Sequence, residues 1–309
     1  MMNILIIGLG SIARKHIAAL NSLRLEFKLY ALRSDERAQN HNNITNIYSL
    51  DNLDVKIDFA IISNPTHLHY SFIEALAIKG IDLFIEKPPV DSIGNLNELS
   101  TVLEVKGIKN YIACNLRFHP CIRFMKDFLS KEGGKRINEV NIYCGSYLPD
   151  WRPDVNFREV YSARAEMGGG VHLDLYHELD YTYWMFGKPK NSKSTKRTTS
   201  SLNIDSIDYA NYIFEYEYFA ANIVLNYYRR DAKRTIEILF EDETFTIDMI
   251  DNHIKNSKGE TVFSLANFKI TDTYKLQMEY FIKCLSDNQE PMNTFTESIE
   301  VLKICLKND

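Results

Sequence analysis

Nowhere in the 309 residues is there an apolar run near the roughly 20 residues that a membrane-spanning helix needs. The opening MMNILIIGLG has no basic segment and no cleavage site, so no secretory leader is expected. The five cysteines (Cys114, Cys121, Cys144, Cys284 and Cys305) are odd in number and scattered, with no Cys-x-x-Cys pair. A structural zinc site or a disulfide framework is therefore not expected, and reduced thiols in the cytoplasm are the simpler account. The formal net charge of −5 leaves no basic excess to attract nucleic acid or an anionic membrane. Internal repeats and low-complexity segments are absent. What is present is ordinary for a globular chain: 45% hydrophobic and 25% charged residues, with length enough for two domains.

The first third reads as a nucleotide fold. NILIIGLGSIARKHIAAL is an apolar run, then Gly8-Leu9-Gly10-Ser11-Ile12-Ala13, then a helical pattern. Gly8 permits a tight turn, Gly10 lets backbone approach a pyrophosphate, and Ala13 allows close helix–strand packing. Ser11 and Ile12 begin the helix, whose free N–H groups suit an anion. Strand-like runs recur at FKLYALR, DFAIISN, DLFIEKP and KNYIACN, with helical patterns over 69–80 and 91–106. This alternation predicts βα units around a parallel sheet, with ligands at the strands' carboxyl ends.

The end of the second strand usually separates the two nicotinamide cofactors. An acid there holds ribose hydroxyls in NAD sites, while arginine suits a 2′-phosphate. Here the strand ends ALRSDE, placing Arg33 and Ser34 where an acid would stand. NADP is expected, with NAD as the alternative should Asp35 shift into the position.

GGGVHLDLYHELDYTYWMFG, residues 168–187, spaces Asp174, His177 and Asp180 three apart. At about 100° per residue, neighbours in such a series share a helix face, whereas His172 points away from Asp174. A metal site, a proton-transfer pair and a helix with one wet face all remain readings of this stretch taken alone. A zinc site needs three convergent ligands, which this spacing disfavours, so no metal is expected. Asp180 is expected to be structural.

The fingerprint is joined by SNPTHLHY after one strand, FIEKPP after the next, and the glycine-rich Asp/His stretch. In this order the chain resembles the Gfo/Idh/MocA oxidoreductases, the glucose-fructose oxidoreductase and inositol dehydrogenase group. The resemblance implies a fold of class α/β: an N-terminal Rossmann domain with a doubly wound parallel sheet, and a C-terminal α+β domain with an open, mostly antiparallel sheet. It implies hydride transfer between a nicotinamide and a sugar or polyol carbon, with Lys87 as the catalytic lysine. It matches Asp174 and His177 to the family's aspartate and histidine, although DLYH has two residues between them where members usually have three. Asn64 and Pro65 would line the nicotinamide, and His69 and Glu86 join the cofactor set. NLRFHP, SYLPDWRP and LDLYHELDY together look most like a branch associated with nucleotide-sugar or surface-glycan biosynthesis.

Oxidising an alcohol requires a base for its proton, and the reverse reaction an acid at the carbonyl oxygen; a lysine in a dry site can serve both directions. Arg117 and His119 lie near the expected domain boundary. Trp151, Arg152 and Arg158 come from a loop rich in proline, aspartate and aromatics. Arg117, Trp151 and Arg152 are expected at the substrate, and arginine's fork suggests an anionic sugar derivative. The domains are expected at 1–118 and 119–309.

NEVNIYCG, DYANYIFEYE, AANIVLNYY and RTIEILFED alternate as antiparallel strands do, and NSKGETV reads as a hairpin turn. KPKNSKSTKR is expected to be an exposed connection, and helices over 272–286 and 296–306 to close the second domain. Tyr209, Tyr212, Phe214, Tyr216 and Tyr218 exceed what one core face needs, so a homo-dimer or homo-tetramer through the sheet's outer face is expected. A small-molecule sugar or nucleotide-sugar partner follows, with neither nucleic acid nor membrane. Two rival readings are a non-catalytic dinucleotide-binding sensor or regulatory subunit, and an enzyme that recycles tightly bound cofactor for net epimerisation.

Overall fold

The computed structural model describes every residue except 36, 38–40, 42, 132–134, 308 and 309. The chain divides into two compact units, the first made of residues 1–115 and 271–302. Its elements are β1 (Met2–Ile7), α1 (Ser11–Ser22), β2 (Phe27–Leu32), β3 (Ile44–Ile47), β4 (Phe59–Ile62), α2 (His69–Ile78), β5 (Asp82–Ile85), α3 (Leu96–Val105) and β6 (Asn110–Ile112). The strands form one sheet in the order β3-β2-β1-β4-β5-β6, with every pair parallel. β4 is the buried run Phe-Ala-Ile-Ile without alternation, as a strand covered on both faces requires. The strand order reverses between β1 and β4, the switch point where open α/β sheets hold ligands. This is the expected doubly wound sheet; β3 is an addition, too short to stand out from sequence.

The second unit comprises residues 116–270 and 303–309. It contains α4 (Pro120–Lys131), β7 (Ile137–Tyr147), α5 (Val171–Asp174), α6 (Tyr176–Phe186), β8 (Asn191–Arg197), β9 (Tyr209–Glu215), β10 (Ala220–Asn226), β11 (Tyr228–Phe240), β12 (Thr244–Asp248), β13 (His253–Lys255) and β14 (Thr261–Ser264). Its eight strands run in the order β14-β13-β12-β11-β7-β10-β9-β8. β7 and β10 are parallel and all other pairs antiparallel, so the sheet is mixed and mostly antiparallel. One face buries Val140, Ile142, Tyr212, Phe214, Ile223 and Ile238, alternating with half-buried or exposed neighbours.

Four expectations are corrected here. Helices do occupy 272–286 and 295–306, as α7 (Asp272–Ser286) and α8 (Phe295–Leu306), but residues 271–302 belong to the first unit. The cause is Phe281 of α7, which packs edge-on against Phe59 of β4 and Phe84 of β5, at 5.3 and 5.5 Å. Periodicity shows that a helix buries one face, not which core receives it. The break expected after residue 118 accordingly falls between Asn115 and Leu116, and the chain afterwards returns to the first unit. The basic run is not a connection but the strand β8, which among the described residues pairs with β9 alone; lysines on an edge strand deter further pairing. Finally, Tyr212 and Phe214 are wholly buried, so the aromatics of β9 do not share the outer face, which carries Tyr209, Asn211, Ile213 and Glu215 instead.

Candidate active site

In the first unit the expected residues converge on the carboxyl ends of β1, β4 and β5. Gly8 has φ +83°, and a Cβ on it would lie 2.6 Å from the Asn64 Cα. Only glycine satisfies both demands, so the β1 turn rests directly on the end of β4. Ser63 Oγ donates to the Gly8 carbonyl at 2.9 Å and fixes the same junction. Gly10 precedes α1 in extended conformation, no side chain caps the helix, and no acid stands in its first turn. A Cβ added to Gly10 would meet nothing within 4 Å. Both polar atoms of the Asn64 side chain are buried without a protein partner. A bare helix N-terminus, open space beside Gly10 and an unsatisfied buried amide at the switch point fit the pyrophosphate and nicotinamide amide of a dinucleotide. Ser11 and Ile12 would present their backbone N–H groups there.

His69 opens α2, as its position after SNPTHL suggested, and is buried. Its ring nitrogens face the carbonyls of Asn64 at 3.0 Å and Pro89 at 3.2 Å. Burial pushes its pKa down, and a neutral ring donates to only one of these carbonyls at a time; enclosed between them, it leaves little surface for a ligand. Glu86 is also mostly enclosed, with Oε1 2.5 Å from His16 Nε2 and Oε2 accepting from the Lys87 backbone N–H at 3.3 Å. His16 sits on the buried face of α1 with Ala13 and Leu20. That spacing was the available signal for a residue the sequence reading passed over. Through this pair α1 holds the turn that carries half-buried Lys87, whose bond to Pro88 is cis. Arg33 is half-buried with Nη1 lacking a partner, and Ser34 beside it is exposed. Asp35 is engaged locally, its Oδ1 accepting from the Arg37 backbone N–H at 2.8 Å.

In the second unit the helix expected through Asp174, His177 and Asp180 is broken. α5 ends at Asp174, α6 begins at Tyr176, and Leu175 between them has φ −96° and ψ 32°. The 100° rule therefore relates His177 to Asp180 but not Asp174 to His177. The segment enters through Gly169, where a Cβ would lie 2.0 Å from the Tyr161 carbonyl. Asp174 accepts hydrogen bonds from the hydroxyls of Tyr161 and Tyr227, each at 2.5 Å. Burial, with the Asp174 charge beside it, pushes the Tyr227 pKa well up, so that hydroxyl stays a donor. Trp151 stands edge-on to Tyr227 at 5.4 Å, and its Nε1 donates to Ser146 Oγ at 2.8 Å. Arg152 lies 6.0 Å from the Tyr161 ring centroid. Asp174, Trp151 and Arg152 thus meet around two tyrosines that sequence reasoning missed, since lone tyrosines on a strand and a loop carry no signature. His177 is half-buried in the first turn of α6.

Arg117 differs from its expected place at the substrate. It is wholly buried and grips Asp180, Nε to Oδ2 at 2.9 Å and Nη2 to Oδ1 at 2.7 Å. An arginine with no exposed surface offers nothing to a substrate; it anchors α6. Asp180 is correspondingly structural. His119 is buried too, with Nε2 3.2 Å from the Met249 carbonyl and Nδ1 accepting from the Cys121 N–H at 3.3 Å.

Residues 2–112 match the model of a family described as oxidoreductases with an NAD-binding Rossmann fold, GFO_IDH_MocA. A scyllo-inositol 2-dehydrogenase (NADP(+)) from Bacillus subtilis (strain 168) is 24% identical over 192 residues, 61% of this chain and 52% of that protein. The match thus spans about half the length of that relative. A D-xylose 1-dehydrogenase (NADP(+)) from Haloferax volcanii is 20% identical over 257 residues, 81% of this chain and 76% of that protein. The crystal structure of the WlbA dehydrogenase from Bordetella pertussis, in complex with NADH and UDP-GlcNAcA, superimposes with a TM-score of 0.82 at 17% identity, covering 98% of this chain and 93% of that one. That likeness extends the shared fold over both units.

Proposed function

We propose, from the match of residues 2–112 to the model of the NAD-binding Gfo/Idh/MocA oxidoreductases, that the chain is an NAD(P)-dependent oxidoreductase moving a hydride to or from a CH–OH carbon of a sugar or nucleotide sugar, in glycan biosynthesis. The observation that carries this reading is the strand-end cluster of the first unit. Gly8 rests on Asn64, space lies open beside Gly10, and the Glu86–His16 pair braces the turn bearing Lys87. The bound nicotinamide supplies the hydride acceptor or donor. Lys87 takes the hydroxyl proton in oxidation and returns it in reduction, with His177 assisting. Asp174, held by two tyrosine hydroxyls, retains acceptor capacity for sugar hydroxyls, and Trp151 offers a ring face to the sugar.

NADP is the preferred cofactor, supported by the Arg33 nitrogen without a partner and by the engagement of Asp35 with Arg37. A homo-oligomer through the outer face of the second sheet, where exposed Ile213 and half-buried Tyr209 rather than the buried β9 aromatics would supply the apolar contact, and a reducing cytoplasmic setting complete the reading. All five cysteines are free and buried, and no described helix is long and apolar enough to cross a membrane.

The test is nicotinamide absorbance with purified protein, both cofactors, and a panel of sugars and nucleotide sugars. Lys87→Ala is expected to lower turnover by several orders of magnitude while cofactor affinity stays nearly intact. Unchanged turnover would remove Lys87 from the mechanism. Tight cofactor binding without hydride transfer to any of the panel would favour a sensor. Nicotinamide absorbance that survives gel filtration would favour internal redox or epimerisation.

A further inference from the structure

Arg234 stands on β11 directly opposite Cys144 of β7. Just before it the ladder slips: Tyr228 pairs with Tyr147 but Lys233 with Gly145, so residues 229–232 oppose Ser146 alone. A bulge of this kind bends a strand and re-aims the side chains that follow. Arg234 thereby reaches Glu178 of α6, the residue after His177, and its Nε donates to Glu178 Oε1 at 2.7 Å. Glu178 is wholly enclosed, while 21% of the Arg234 side chain remains accessible.

The accessible part lines a cavity of about 610 Å³, a size suited to a small organic ligand. Ser146, Trp151, Lys233, Asn252 and Phe268 share that wall. Its lining contains three cations, Lys233, Arg234 and Lys269, and no carboxylate. An arginine fixed through Nε by a buried carboxylate keeps its terminal fork in one plane, the preorganisation that two-point oxyanion recognition requires. Trp151 and Phe268 supply apolar surface for a ring, and the Ser146 hydroxyl, which accepts from Trp151 Nε1, keeps its own proton to donate to a ligand.

We propose that this cavity binds the oxyanion of the substrate, a sugar phosphate ester or a sugar carboxylate, and that Arg234, oriented by Glu178, is the residue that receives it. The inference rests on the sugar-oxidoreductase reading for its choice of a sugar, and it makes that substrate anionic. Glu178 acts as a positioning residue.

The test is calorimetry on the full chain saturated with NADP⁺, so that the dinucleotide site is filled, using UDP, D-glucuronate and neutral D-glucose as probes. Binding of UDP identifies a phosphate site and binding of D-glucuronate a carboxylate site; D-glucose is expected to bind more weakly than either. Arg234→Lys, which keeps the charge but loses the fork, is expected to weaken the bound anion at least tenfold and to leave D-glucose unchanged. Should that variant fail to fold, the paired surface change Lys233→Gln/Lys269→Gln decides. It is expected to weaken the anion severalfold and to flatten its salt dependence. Failure of both anions to bind wild type, or affinities unmoved in the variants that fold, overturns the proposal. Anion binding without hydride transfer would instead sink the catalytic reading and leave the site standing; turnover of neutral sugars without anion binding would do the reverse.

Discussion

Arg117 and Asp180 form a two-point ion pair inside the second unit, at 2.9 and 2.7 Å, with side chains 0% and 1% exposed. The Arg117 guanidinium also lies 5.6 Å from the Trp184 ring centroid. Breaking one side of such a pair leaves a buried charge uncompensated, at about 3–5 kcal/mol. Arg117→Met is expected to destabilise the second unit by that amount, and Arg117→Met with Asp180→Leu to recover most of it. Urea unfolding followed by tryptophan fluorescence measures both. A single variant as stable as wild type contradicts the structural role.

The two fingerprint glycines are expected to differ. Gly8→Ala meets both the positive φ and the Asn64 backbone and is expected to cost roughly 2–5 kcal/mol. Gly10→Ala meets no protein atom, so stability is expected to hold while dinucleotide affinity falls at least tenfold. Thermal unfolding paired with cofactor titration separates them. Equal losses of stability in both variants would contradict the geometry.

Acid sensitivity follows from two buried histidines. Burial lowers His119 and His172 from 6.5 to about 4. Below pH 6.5 the unfolded chain therefore binds protons that the folded chain refuses. Stability from these groups is complete above 6.5 and is lost progressively as the pH falls toward 4, by about 2 kcal/mol each at pH 5. The urea midpoint is expected to drop between pH 7 and pH 5, and His172→Gln to shrink that drop. A midpoint flat across this range counts against neutral burial.

Cofactor choice turns on Arg33. A charge-assisted contact to a 2′-phosphate is worth roughly 1.5–3 kcal/mol, about 10- to 150-fold in affinity. Wild type is expected to bind NADP modestly better than NAD, since stacking on adenine competes for the guanidinium, and Arg33→Ala to reduce or abolish the preference. Titrating both cofactors against both proteins measures this. A wild type that prefers NAD, or an unchanged ratio in the variant, contradicts the strand-end reading.

Local signals carried the first unit. An apolar run, a glycine turn and a helix are neighbours in the chain, so the β1–Gly8–α1 junction and the parallel strands were legible residue by residue. The glycine-rich Asp/His segment was legible as a candidate site but not as a shape. The break at Leu175 depends on Gly169 meeting the Tyr161 carbonyl and on two tyrosines converging on Asp174, contacts across 13 and 53 residues.

Sequence by itself therefore determined what periodicity and backbone permissiveness can encode: an α/β unit followed by an α+β unit, the glycine turn after β1, a lysine just past a strand's carboxyl end and a histidine in a helix. Tertiary structure alone decided where polar side chains spend their hydrogen bonds. Arginine looks the same in a sequence whether it ends in the core, as Arg117 does, or on a cavity wall, as Arg234 does. The outcome depends on which carboxylate the fold brings within 3 Å: Asp180 encloses the first entirely, and Glu178 holds the second by one nitrogen. α7 was likewise legible as a helix, yet its core was chosen by Phe281 fitting between Phe59 and Phe84, more than 190 residues away in the chain. Burial patterns repeat locally, but the partner that completes them is set by packing across the whole chain.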